Sequence, residues 1–382
     1  MPSIAAQPVF IASILARLPL AMLTIGMLVH VQHVTGSFAA AGLVSGTLAV
    51  AQGAGGPALG RLVDRRGQTA VLLAGALVSG AALVATALLP AGAPLTALIA
   101  LATVIGLASP PVGPCMRSLL PGMVEDEASQ RGAYAIDSAA VELTWVSGPP
   151  LVLLAGTMLS TGAALVVAGA ILTVSTVLFA TTKASRDWRP EPKSGDDATG
   201  ALRSPGVRTL VLALGSAGLL FGATEVAVTA AADALGGTAA AGPLLGLWGV
   251  GSLIGGIVVA RAGGGARTGA GLAAMLTVLA ASHLALAAVA SSMIAPTCAT
   301  AYAMVDAAAP TGTTTEAFAW LATAVAIGTS GGAAAAGAVA DASGPAATFV
   351  LAGVAGALGA AATILRARTI TPASPALAAA AC

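Results

Sequence analysis

The sequence predicts an all-α integral membrane protein of twelve transmembrane helices arranged as two pseudo-symmetric six-helix bundles, and three observations lead there. Of 382 residues, 57% are hydrophobic and 8% charged, too few polar groups to cover the surface of a water-soluble domain. Twelve apolar runs approach the roughly 20 residues that cross about 30 Å of hydrocarbon at about 1.5 Å per residue. The basic residues fall on alternate turns between those runs, as the preference of Lys and Arg for one aqueous face requires.

The runs lie near 9–31, 38–60, 69–89, 95–116, 133–155, 162–182, 207–231, 241–260, 269–289, 291–308, 315–338 and 345–365, and are numbered here as spans one to twelve. The tenth is the least regular, interrupted by Pro296 and ending at Asp306. With the N-terminus inside, every second turn and the C-terminus face the cytoplasm. Those segments hold all of the 16 Lys and Arg residues except Arg17, from Arg61, Arg65 and Arg66 after span two to Arg366 and Arg368 after span twelve. The opposite turns, near 32–37, 90–94, 156–161, 232–240, 290 and 341–344, hold none. A missed or surplus helix would scatter positive charge over both faces, so count and orientation support each other. The expectation is a multi-pass protein of the bacterial inner membrane with both termini in the cytoplasm. No cleaved signal peptide is expected, because the first apolar run has no basic n-region or cleavage site.

The polar stretch 183–206, with Pro190, Pro192, Gly195 and Gly200, is the one long connection. It divides the chain into a first bundle at 1–182, a cytoplasmic linker at 183–206, a second bundle at 207–368 and a short tail at 369–382. Gly56 and Gly60 recur 195 residues later as Gly251 and Gly255, and Cys115 and Gly148 recur 183 residues later as Cys298 and Gly331, each at the corresponding span. The 48 glycines suit close helix packing in lipid, although a GC-rich genome alone would also raise Gly and Ala. Cys115, Cys298 and Cys382 form neither a CxxC nor a metal spacing, and two lie in spans, so no structural disulfide is expected. A net charge of +1 offers no face for nucleic acid.

After span two the chain reads Gly60-Arg61-Leu62-Val63-Asp64-Arg65-Arg66-Gly67. This resembles the Gly-x-Leu-x-Asp-Arg-x-Gly signature that the major facilitator superfamily carries between its second and third helices. Gly60 permits close helix approach, Asp64 suits a helix N-terminus, whose dipole favours negative charge, and Arg65 and Arg66 supply partners on the basic face. The resemblance implies two parallel six-helix halves, each of inverted three-helix units, and a latch joining them on the cytoplasmic side. In that latch the aspartate lies near the start of helix eleven, beside an arginine from helix four. Helix eleven opens here at Thr313-Thr314-Thr315-Glu316 and Arg117 ends helix four. Gly60, Asp64, Arg65, Arg66, Gly67 and Arg117 are therefore the expected latch, with Asp64 and Arg117 as its charge pair. Gln68 and Thr69 stand where the family usually has further basic residues, and the second-half loop from Arg261 to Arg267 lacks the acid.

Span five holds Trp145-Val146-Ser147-Gly148-Pro149-Pro150. Gly148 and Pro149 resemble the helix-five motif of proton-coupled antiporters in the same superfamily, without its upstream glycines. Gly and Pro bend a helix and free backbone groups, which is tolerable at this depth only where a neighbour or a cavity satisfies them. A plain proline kink is the other reading.

An ionisable side chain near mid-membrane costs about 2.5–3.5 kcal/mol on insertion scales, so it faces a cavity or a partner. Arg17 lies roughly 12 Å into span one at about 1.5 Å per residue. Glu142 has comparable depth in span five, and helices one and five adjoin in the resembled fold. Glu142 is the expected proton site, alternating between a proton and either Arg17 or a cationic substrate; a permanent Arg17–Glu142 ion pair is the alternative. Glu225, in the outer third of span seven, is the second candidate. Asp137 is expected in a cytoplasmic-side network with Arg131. His30 and His33 are expected to be solvated at the outer interface, two imidazoles without a carboxylate being a poor metal site, and His283 to pack through a hydrogen bond. Glu316 reads as a first-turn complement to the helix dipole. No Ser-His-acid order, phosphate loop or metal-ligand cluster occurs, so neither an enzyme nor a cofactor is expected, and the proton is the expected coupling ion.

The expected activity is secondary transport by alternating access: proton-coupled efflux of a small amphiphilic or drug-like compound by a monomer embedded in the lipid bilayer. Uptake of a small metabolite is the alternative, and a non-transporting membrane sensor or assembly protein a third. Aromatic residues are only 3%, with Trp145, Trp248 and Trp320 in spans, so an aromatic-lined cavity is not indicated.

Overall fold

A computed structural model of the chain describes residue 5 and residues 7–124, 126–189, 200–234, 241–262, 268–284 and 294–370. Helices α1 (Pro8–Thr35), α2 (Phe38–Arg66) and α3 (Gln68–Ala87) carry spans one to three. Pro8 opens α1, where its fixed φ is already helical and its absent N–H removes no helical bond. Gly36 closes α1 in the left-handed region at φ 69° and donates to the Gln32 carbonyl. Ser37 then starts α2 by accepting the Ala40 N–H at 3.2 Å.

Span four differs from its expected form, being split into α4 (Leu95–Ala108) and α5 (Val112–Met123). Pro110 and Pro111 remove two backbone donors and turn the preceding residue out of the helix, so the span runs on to Met123 instead of ending near 116. Helices α6 (Glu127–Met158) and α7 (Thr161–Ala180) carry spans five and six. Asp126 caps α6, accepting the Ser129 N–H at 2.9 Å and its hydroxyl at 2.6 Å, and these donors hold its carboxyl below the usual range.

In the linker lie the short α8 (Lys183–Asp187) and a 3-10 turn at Ala201–Arg203. Spans seven to nine are α9 (Pro205–Ala234), α10 (Ala241–Arg261) and α11 (Gly269–Leu284). Span ten is split into α12 (Ile294–Ala303) and α13 (Val305–Ala308), and α14 (Thr314–Leu365) contains spans eleven and twelve. Among the described residues, nine helical segments are long and apolar enough to cross a membrane, α14 counting once. With its second span and the shorter α11 and α12, each of the twelve expected spans holds a helix among the described residues.

Gly344 explains how one hydrogen-bonded run of 52 residues holds two spans, for its φ is 79° and its ψ 177°. In a straight helix Gly328 and Gly356 would stand about 42 Å apart at about 1.5 Å per residue. Yet both meet the same stretch of α9: a Cβ on Gly328 would strike Gly215 and Leu219, and one on Gly356 would strike Leu220. The chain therefore reverses at Gly344, in a conformation that L side chains rarely adopt, and 314–343 runs back as 345–365.

Gly218, Gly222, Gly328 and Gly332 bring α9 and the first segment of α14 into backbone contact, leaving no room for a Cβ at any of them. In lipid, such small-residue seams supply van der Waals packing where the hydrophobic effect does not act between helices. Gly328→Leu is expected to push the helices apart at a cost of about 1–3 kcal/mol or more, read as a fall in the apparent Tm of the purified protein. Unchanged melting would mean that the seam has slack.

The buried core is distributed unequally between the two ends of the bundle. At the arginine-rich end, one apolar cluster runs through both halves, from Phe10, Val63, Leu72, Met116 and Tyr134 to Leu210, Leu214, Leu276, Tyr302 and Phe318. At the opposite end, the described residues form two clusters: one of the first half around Met27, Leu48, Leu98 and Leu165, and one of the second half around Leu220, Leu279, Ala336 and Ala352. His30 lies in the former region and is buried, which corrects its expected solvation. Its Nε2 faces the Thr86 carbonyl at 3.2 Å and its Nδ1 the Thr161 hydroxyl at 3.0 Å. A carbonyl only accepts, so Nε2 carries the proton and Nδ1 accepts from Thr161. His33 is exposed, and the side chain of His283 lies outside the described residues.

Candidate functional site

Two constellations join the halves at the arginine-rich end. In the first, Asp64, buried at the end of α2, accepts the backbone N–H of Thr315 at 3.1 Å and of Glu316 at 2.8 Å. These are orphan donors of the first turn of α14, so the carboxylate caps that helix and meets the positive end of its dipole. Gly60, one turn earlier, lets the backbones meet: a Cβ there would stand 3.0 Å from Thr315 O and from Glu316 Cα. Glu316, in the first turn as expected, also pairs with Arg61 at 2.6 Å. Gly67 turns the chain into α3 at φ 87°, and Arg65 and Arg66 are exposed, with no ion pair among the described residues. Gln68, in the place of a basic residue, donates to the Cys115 carbonyl at 3.1 Å and to Ser118 at 3.0 Å, and accepts from Ser185 at 3.2 Å. It thereby ties the turn to α5 and the linker.

The second constellation is a buried charge cluster. Asp137 stands between two guanidiniums, with Arg17 Nη1 2.8 Å from its Oδ1 and Arg117 Nε 2.8 Å from its Oδ2. The Arg117 contact is an aligned hydrogen bond, whereas the Arg17 contact is an ion pair off the hydrogen-bond direction. Arg17 turns its other nitrogens to its own helix, Nε donating to the Ser13 carbonyl at 3.1 Å and Nη2 to the Ser13 hydroxyl at 2.9 Å. Arg117 lies over the ring of Tyr302 from α12, its guanidinium carbon 3.8 Å from the ring centre. Tyr134 and Tyr302 both meet Phe318, with ring centres 6.0 and 6.1 Å away. An aromatic layer from α6, α12 and α14 thus lies beside the cluster. Gln130 and Tyr134 add a further bridge, donating to Asp306 at 2.6 and 3.2 Å.

Three expected pairings are corrected by this geometry. Asp64 does not meet Arg117: its oxygens are taken by the α14 backbone, while Arg117 turns inward to Asp137. Arg17 pairs with Asp137 and not with Glu142. The two acids are five residues apart on α6, about 140° around the helix at 3.6 residues per turn, and cannot face the same neighbour. Asp137 in turn takes Arg17 and Arg117 in place of Arg131, which contacts Glu127 one turn earlier at 3.5 Å.

Glu142, half-buried on α6, lies across the halves from Ser252 of α10. Ser252 Oγ accepts the Ala295 N–H at 3.2 Å. Glu225 is exposed on α9, one turn beyond Phe221, whose ring meets Trp248 edge-on at 5.9 Å. Gly148 packs α6 on α1, a Cβ there falling 2.7 Å from that of Ala21, and α6 continues through Pro149 and Pro150. Cys115 and Cys298 are free thiols. A cavity of about 670 Å³ between Asp64, Ser118, Gln130, Trp188, Asp306 and Thr314 opens beside the α2–α14 contact and is not lined by Arg17, Asp137, Glu142 or Glu225.

Sequence reasoning overlooked Ser13, Ser252 and Tyr302. A signal was available for the last, since the chain has only two tyrosines and both lie in this aromatic layer.

The sequence profile of the Major Facilitator Superfamily matches residues 9–294. A search of curated proteins finds no match. Among solved structures, the human organic anion transporter MFSD10 (TETRAN) is similar with a TM-score of 0.71 and 15% identity, over 93% of this chain and 98% of that one. A bacterial homologue of the iron transporter ferroportin, in an outward-facing state, is similar with a TM-score of 0.72 and 13% identity, over 94% and 98% of the two chains. At such identities the likeness concerns the fold.

Proposed function

Because this chain belongs to the Major Facilitator Superfamily, a superfamily of multi-pass membrane transport proteins, we propose that it is a proton-coupled secondary carrier working by alternating access. Its proposed cargo is a small amphiphilic or drug-like compound, exported across the bacterial inner membrane. The observation that carries the reading is the unequal core: among the described residues, one apolar cluster joins both halves at the arginine-rich end, and two separate clusters stand at the other. Among the described residues, the hydrogen bonds between α2 and α14 extend no further from the arginine-rich end than Thr323 to the Gly53 carbonyl, at 3.0 Å. With basic residues facing the cytoplasm, this is a carrier closed inside and open outside. The halves are 1–182 and 207–368, joined by 183–206.

In this reading Asp64, Gly60 and Arg61 hold the inner end shut against α14, and Asp137 locks α1 to α5 and α6. Glu142 is the coupling carboxylate. It faces a hydroxyl and not a cation, so a proton can neutralise it without breaking an ion pair, and it sits where α6 meets α10 of the other half. Glu225 is the second candidate, near the open end.

The test is reconstitution into liposomes with an imposed pH gradient and a compound panel. Substrate-dependent proton flux is expected, and Glu142→Gln is expected to reduce it by about tenfold or more, as for loss of a proton-transfer group, while leaving the fold intact. Undiminished coupling in Glu142→Gln would remove that residue from the mechanism. Movement of compound down its own gradient with no proton flux would make the protein a uniporter.

A further inference from the structure

The charge cluster between α1, α5 and α6 holds two cations and one anion. Arg17 and Arg117 are 7% and 4% exposed and Asp137 is fully buried. Arginine stays charged inside proteins, so the cluster carries one positive charge in excess. Among the described residues, no other acid forms an ion pair with either guanidinium. Glu142 is turned to Ser252, Asp64 to the α14 backbone, and Glu316 to Arg61.

The donors of the two arginines are unequally used. Arg17 directs Nε and Nη2 to Ser13 and Nη1 to Asp137. Arg117 uses Nε on Asp137 and lays its plane on Tyr302, but its two terminal nitrogens have no hydrogen-bond acceptor among the described residues. Beside them is Gly113, where a Cβ would stand 3.8 Å from Arg117 Nη1 and 3.5 Å from Arg17 Cδ, so the two arginine side chains share that side. A guanidinium edge with both terminal nitrogens unused matches the paired oxygens of a carboxylate, sulfonate or phosphonate. Terminal guanidinium nitrogens left without an acceptor inside a membrane protein mark a place where a partner arrives and leaves.

We propose, building on the carrier reading above, that the Arg117 fork, held in place by Asp137 and Tyr302, binds the anionic headgroup of the transported compound, so that the substrates are small amphiphilic organic anions. Arg117 is then a binding residue, Asp137 and Tyr302 position it, and Arg17 keeps Asp137 charged when the headgroup is absent.

The experiment melts the full-length protein in nanodiscs with hexanoate, octanoate, benzoate, hexanesulfonate and hexylphosphonate, each against the neutral amide or alcohol of the same skeleton at constant ionic strength. Anionic compounds are expected to raise the Tm saturably where their neutral counterparts do not. Arg117→Gln is expected to weaken that response by about tenfold or more, as for loss of charge-assisted hydrogen bonds, and Arg117→Lys by less. Arg208→Gln, at an exposed position near the start of α9, should retain it. Without any anion, Arg117→Gln should melt no lower than the wild type, because the remaining Arg17–Asp137 pair is balanced. An Arg117→Gln protein that melts lower in the absence of anion would make Arg117 a structural strut. A wild type that responds equally to charged and neutral compounds would remove the site, and either result overturns the proposal. If the variants do not fold, the wild-type comparison decides alone. Liposome flux separates this from the carrier reading. Transport of neutral or cationic compounds undiminished in Arg117→Gln keeps the carrier and removes the anion site, whereas anion-specific stabilisation without flux of any compound keeps the site and removes the carrier.

Discussion

Asp137→Ala is expected to cause the largest loss of folded protein of any single substitution in this chain. Its carboxylate is the shared counter-ion of Arg17 and Arg117, at 2.8 Å from each, with all three side chains buried. Breaking a buried pair by removing one partner costs about 3–5 kcal/mol, and here one truncation strands two cations. A typical domain is stable by only about 5–15 kcal/mol. The measurement is the monodisperse fraction on size-exclusion chromatography and the apparent Tm, both expected to collapse. Adding Arg117→Gln to Asp137→Ala should recover part of the loss by removing one stranded charge, and Asp137→Asn should fall between. Wild-type melting of Asp137→Ala would mean that both arginines find other acceptors.

Asp64→Asn is expected to release the arginine-rich end. Two contacts bind α2 to the start of α14, and they are unequal. Arg61 is half exposed, 49%, so its 2.6 Å pair with Glu316 is screened by water and contributes little. Asp64 is buried and holds two backbone donors at once, an N-cap of about 0.5–2 kcal/mol with added charge. Asparagine keeps the shape, but its amide nitrogen cannot accept, so one α14 N–H loses its partner. In a two-state carrier a change of about 1.4 kcal/mol shifts the populations about tenfold. Cys115, fully buried in the core at that end, reports the opening. In a Cys298→Ser, Cys382→Ser background its alkylation by a maleimide is expected to rise about tenfold, whereas Arg61→Gln should change it little. Equal labelling of Asp64→Asn and its parent would show that other contacts keep the end shut.

The number of spans and the alternation of basic turns were legible because they depend on composition along the chain, which a bilayer reads one crossing at a time. The location of the α2–α14 contact was legible from the resemblance of Gly60 to Gly67 to a family signature. Which charge meets which was not. Asp137 and Glu142 are both carboxylates, about 7.5 Å apart along α6, and which neighbour each meets depends on the direction it takes around the helix, which is set by how α1, α5 and α10 pack against it. Arg117 was misdirected for the same reason: the resemblance placed it beside Asp64, but its side chain meets Asp137 and Tyr302. His30 shows the same limit, since its two partners come from α3 and α7, far away in sequence. The break at Ser109 to Pro111 was readable in the two prolines themselves, although apolar length alone concealed it.

The reversal at Gly344 uses a single residue, so 314–343 and 345–365 have no slack between them. A tilt begun where Asp64 grips the first segment is carried around the hairpin without loss, and Gly356 and Gly359 pass it on to α9, against which they are wedged. Three spans of the second half are thereby geared to one carboxylate of the first.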